Sequence, residues 1–117
     1  MDTRLEKALD FSNYMVTLNN QKRILQEQYC QDIIFYFNGG QFTVNQQLIC
    51  FCHTMILKGQ TGLVLVDDNN IPVSIVDANA FFDDILDVYF TASNKFLNEY
   101  NSLKINRSVE KLVDIHE

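Results

Sequence analysis

The chain has 117 residues, 47% of them hydrophobic and 21% charged, with one proline and four glycines. That is enough for one globular domain, and the composition argues against disorder and against linker segments. The formal net charge of −6 excludes a surface that grips phosphate backbones at large, since such binding rests on many lysines and arginines.

No apolar run approaches the ~20 residues of a membrane helix. Cys30, Cys50 and Cys52 make an odd count, and the charged opening Met1-Asp2-Thr3-Arg4-Leu5-Glu6 has no apolar signal core. Reduced thiols in a cytoplasm are therefore expected, that of a host cell if the gene is viral.

In chain order, Leu5, Ala8, Leu9, Ser12, Met15 and Val16 recur at spacings of three and four, and Leu18, Ile24 and Leu25 continue the stripe. This predicts a helix over residues 3–28 within an N-terminal segment 1–29, with Asn19-Asn20 as its weak point. Ile33-Ile34-Phe35-Tyr36-Phe37, then Asn38-Gly39-Gly40, then Gln41-Phe42-Thr43-Val44 predict a β-hairpin, because Asn-Gly supplies the positive φ angles of a tight turn. Residues 45–58 are ambiguous. Leu48, Phe51, Cys52 and Met55 share a helix face, while Ile49, Phe51, Met55 and Leu57 share a strand face. The β-formers Cys, Phe, Ile and Thr favour a strand at 48–57; Gln, Leu and Met permit a helix.

A second hairpin is expected from Gly62-Leu63-Val64-Leu65-Val66, Asp67-Asp68-Asn69-Asn70 and Ile71-Pro72-Val73-Ser74-Ile75-Val76, with Pro72 at a strand start or edge. Asp77 reads as a helix N-cap. Phe81, Ile85, Val88, Tyr89, Ala92, Phe96 and Tyr100 form a long helical stripe opposite Asp83, Asp84 and Asp87, and Ser108 reads as the cap of a last short helix. The expected architecture is a single domain: an N-terminal helix, a mostly β core at 30–77 and a C-terminal helical segment at 78–117.

A helix followed by a bent five-stranded sheet resembles the plan of the Sm/LSm family, including Sm-like proteins of marine phages. Asn38-Gly39 stands where that family has its first turn. Phe51-Cys52-His53-Thr54-Met55-Ile56-Leu57 is similar to its first motif at Phe51, Met55 and Leu57. Val64-Leu65-Val66-Asp67-Asp68-Asn69-Asn70-Ile71 is similar to its second motif at Val64, Val66, Asn69, Asn70 and Ile71. The resemblance covers the middle of the chain only. It implies a small five-stranded barrel, assembly into a homo-oligomeric ring and a non-catalytic role in RNA or single-stranded DNA binding. Cys52, Ile56, Asp67 and Asp68 replace the family's pocket residues, so the pocket would repel phosphate. The side chains expected to face nucleic acid are Tyr36, His53 and Asn69, with the basic cluster Lys104, Arg107 and Lys111, beside Lys22-Arg23.

The other expectation is a phage-encoded structural or adaptor protein of α+β fold, with a helix at 46–58 and no nucleic-acid binding. No enzyme is expected, because His53 lacks a nucleophile or an orienting partner in sequence. No metal or cofactor is expected: Cys50-x-Cys52-His53 reads as packed thiols, and Asp67-Asp68-Asn69-Asn70 as turn residues without calcium-loop spacing.

Overall fold

In a computed structural model the order is α1 (Thr3–Asp32), β1 (Ile34–Phe37), β2 (Gly40–Thr43), α2 (Gln46–Leu57), β3 (Leu63–Val66), β4 (Pro72–Ile75) and α3 (Ala78–His116). Residues 3–103 are described in full, and over 104–116 only the course of α3 is given. Ser108, expected to cap a separate last helix, lies within α3, which runs unbroken to His116, so no new helix starts there. Asn19-Asn20 does not interrupt α1, which runs unbroken for 30 residues.

The expected mostly β core is overturned. Helices of 30, 12 and 39 residues dominate, and the four strands, each four residues long, form two separate antiparallel pairs, β1–β2 and β3–β4. The described residues contain no fifth strand and no closed barrel.

The expected third strand at 48–57 is helix α2. Asn45 caps it: its Oδ1 accepts the Leu48 N–H at 2.9 Å. Gly59, at φ 86°, closes it, with the Gly59 N–H donated to Ile56 O and the Gln60 N–H to Met55 O. A left-handed residue just beyond the last turn satisfies carbonyls that the helix leaves open, and glycine adopts it without a Cβ clash. Between these ends Leu48, Ile49, Cys52, Met55 and Ile56 turn inward and Cys50, Phe51, His53, Thr54 and Leu57 outward, a period of helix and not of strand. Phe51 and Leu57, expected as inward barrel positions, are 46% and 73% exposed.

Both hairpins form as their turns predict. Asn38 and Gly39 take φ 48° and 79°, both central residues of a two-residue turn positive, and Phe37 pairs with Gly40. In the second hairpin the Asn70 N–H reaches Asp67 O, the Asp67 N–H reaches Ile71 O, and Asn70 sits at φ 62°. That is a three-residue loop: one tight turn, then a left-handed residue. Asp77 caps α3, its Oδ1 accepting the Ala80 N–H at 3.1 Å.

The contacts fall into two compact units, one of Met1–Gln28 with Phe96–Glu117 and one of Tyr29–Lys95. In the first, Leu18 is buried, Met15, Lys22, Leu25, Phe96, Glu99 and Leu103 are half-buried, and the Lys22 ammonium stands 5.9 Å from the Tyr100 ring centre. In the second, Phe81 on α3 is the centre of an aromatic cluster, with Phe35, Phe37 and Phe42 at 6.0, 5.3 and 5.5 Å. Val44, Cys52, Leu65, Val73, Ile75 and Ile85 complete that core. At the surface of the same unit the two hairpins are joined by polar contacts: the Asp68 N–H donates to Gln41 O at 2.8 Å, and Thr43 Oγ1 donates to Asp68 Oδ2 at 2.7 Å.

Candidate interaction surface

Tyr36, His53 and Asn69 occupy three different elements of the Tyr29–Lys95 unit, and no hydrogen bond or ring contact joins them. Tyr36 is on β1 and 70% exposed, while its strand neighbours Phe35 and Phe37 pack on Phe81. His53 lies on α2 with its ring stacked against Phe82 at 5.7 Å. Asn69 is in the β3–β4 turn, its N–H donated to Asp67 Oδ1. The side chains of Lys104, Arg107 and Lys111 lie outside the described residues. Of the basic residues expected beside them, Lys22 faces the Tyr100 ring and Arg23 pairs with Glu27 at 3.7 Å.

The unit that carries Tyr36, His53 and Asn69 is strongly acidic. Asp32, Asp67, Asp68, Asp77, Asp83, Asp84 and Asp87 stand against Lys58 and Lys95 alone, with no arginine and no glutamate. Such a field opposes a phosphate chain at close range.

Asp67 and Asp68, which replace the pocket residues in the Sm-like reading, have a structural use. Asp67 is buried, and its carboxylate accepts the Ile71, Gln41 and Asn69 N–H groups at 2.8, 3.0 and 3.0 Å. The bonds from Ile71 and then Gln41 hold its pKa below the ordinary carboxylate range; desolvation opposes them, and the Asn69 bond adds to the lowering. Cys52 and Ile56, the other two replacements, lie on the inward face of α2. Burial pushes the Cys52 thiol pKa up, so it packs as an inert small hydrophobe. Cys50 points outward on the same helix and His53 to Phe82, so the three do not converge. Among the described residues no three metal-ligating side chains come together.

What sequence reasoning missed is the outer face of the β3–β4 hairpin. Leu65, Val73 and Ile75 fill the core from one side. On the other side Val64, Val66 and Val76 are 66%, 64% and 82% exposed, with Pro72 and Ser74 beside them. The signal was present, because apolar residues on both faces of a strand imply two covered faces. It was absorbed into the expected barrel, where both sides would be enclosed.

The helices of the described residues include none long and apolar enough to cross a membrane. No protein-family model, curated protein or solved structure matches the chain.

Proposed function

We propose that the protein is a non-catalytic assembly or adaptor protein that works through protein contacts and not through nucleic acid. The observation that carries this reading is the exposed apolar face of the β3–β4 hairpin. Contiguous exposed apolar surface rimmed by polar residues marks interaction sites, since a monomer gains nothing by keeping it wet. Here the rim is Asp68, Asn69 and Asn70, and the β-branched valines give the face a fixed shape. The acid-rich Tyr29–Lys95 unit supports the same choice over RNA or single-stranded DNA.

The test is a titration of the full chain with labelled oligo-uridine and with single-stranded DNA at low salt, where phosphate contacts are strongest. The adaptor reading expects no shift with either. A shift that weakens as salt rises would overturn it and restore nucleic-acid binding.

A further inference from the structure

The β3–β4 pair has two outer edges, and they are treated differently. The ladder alternates residues that bond across the pair with residues that do not. The bond from the Asp67 N–H to Ile71 O fixes the phase: Leu65↔Val73 and Leu63↔Ile75 are bonded pairs, Val66↔Pro72 and Val64↔Ser74 are not. The backbone groups of Pro72 and Ser74 therefore point out of β4, and those of Val64 and Val66 point out of β3.

The β4 edge is blunted. Pro72 has no N–H to offer, and Ser74 O accepts the Asn38 side-chain amide at 3.3 Å. The β3 edge is held at its turn end, where the outward Asp68 N–H donates to Gln41 O, but along Leu63–Val66 it has no such guard. The N–H and C=O groups of Val64 and Val66 have no partner among the described residues. Nor does Leu63-Val64-Leu65-Val66 contain a lysine, proline or any charge, the usual means of keeping an edge unpaired. On β1, by contrast, Ile34 shares the wall of a cleft with Asp87, Thr91 and Lys95, so charged side chains stand beside that edge.

We infer that β3 is a self-pairing edge: a second copy of this chain adds its own β3 antiparallel to the first, about a two-fold axis through Leu65. This rests on the protein-contact reading above and names the partner. The register follows from the open groups. Val64 faces the second copy's Val66 as a bonded pair, Val66 faces its Val64, and Leu65 faces Leu65. Each bonded pair exchanges both N–H···O bonds, so every open group on the edge is satisfied at once. A segment without charge meets no like charge in its copy, even though the chain carries −6 overall. The two outer faces become one four-stranded apolar surface. Strands of four residues bury less than the ~800 Å² per partner of a standard interface, so the association should be weak and depend on concentration.

The experiment uses the full chain. Light scattering across a concentration series should show the mass rise from 13.6 kDa towards twice that value. Val66→Lys places a charge on the edge and Val64→Pro removes an outward N–H without touching the ladder to β4; each should weaken association ~10-fold or more. If Val64→Pro fails to fold, Val66→Lys alone decides.

The register is read with cysteines, in a background where exposed Cys30 and Cys50 are serine. Bonded partners lie about 5.5 Å apart at Cα, within disulfide reach, and diagonal ones about 7–8 Å, outside it. A mixture of Val64→Cys and Val66→Cys chains should therefore cross-link on mild oxidation, and neither alone. A monomer at every concentration, a dimer indifferent to Val66→Lys, or equal cross-linking of either variant alone overturns the edge pairing. None of those results touches the protein-contact reading, which falls only to oligonucleotide binding.

Discussion

The Asp67 carboxylate accepts the Gln41 backbone N–H at 3.0 Å across 26 residues of sequence, and this bond links the two hairpins. Gln41 belongs to the outer edge of β2, which would otherwise be open to other chains, and Asp67 with Asp68 closes it from within. One buried carboxylate thereby orders its own turn, through Asn69 and Ile71, and fixes the neighbouring sheet.

Asp67→Asn keeps the shape and loses the charge, and it turns an amide N–H towards either Gln41 or Ile71. The melting temperature at neutral pH should fall on the order of 5 °C. The pH dependence has a fixed sign. The folded-state pKa of Asp67 is lowered, so its stabilisation is fully present above the unfolded carboxylate value of about 4 and is lost as pH falls through the folded value. Thermal melts of both proteins from neutral pH to pH ~2 should show the gap between them close only in that acid range.

Gly40 is buried where the first hairpin packs against Val73 of the second. A Cβ there would lie 2.6 Å from Val73 Cγ2 and 3.2 Å from Phe42 Cε2. Gly40→Ala should cost about 1–3 kcal/mol through forced repacking. In Gly40→Ala/Val73→Ala the clash is gone, so urea unfolding of the four corners of that cycle should give a cost below the sum of the single changes.

The identity of α2 has its own check at both ends. Asn45→Ala removes the cap bond to Leu48 and should cost about 1 kcal/mol. Gly59→Ala places a Cβ at φ 86° and should cost about 1–2 kcal/mol. Were 48–57 a strand, neither residue would hold an element end and both changes would be near silent in urea melts.

The two hairpins and the start of α3 were legible in the sequence, because turns and caps are local chemistry, though the fold class was not. Asn38-Gly39, Asp67 to Asn70 and Asp77 have side chains or φ angles that suit one geometry, and each stands where it was expected. Residues 46–57 were not legible by periodicity, since a run of Leu, Ile, Cys, Phe and Met is apolar at either period. Its boundaries held the answer: Asn45 before and Gly59 after bracket a helix, and neither is needed by a strand. The barrel expectation followed from that one segment, and the motif likeness at Phe51, Met55 and Leu57 rested on it too. The candidate surface was hidden for the same reason. Val64 and Val66 look like barrel interior when a fifth strand is assumed, and become exposed surface once α2 takes that strand's place.

The most direct measurement of the account's central claim is backbone amide hydrogen exchange, residue by residue, in dilute and in concentrated solution. Leu63 and Leu65 donate within the hairpin and should be protected in both. Val64 and Val66 should exchange freely when dilute and become protected as concentration rises, in step with each other, while Tyr36 on β1 stays open throughout. Protection at Val64 and Val66 that is already present when dilute, or that never appears, would contradict a β3 edge that pairs with its own copy.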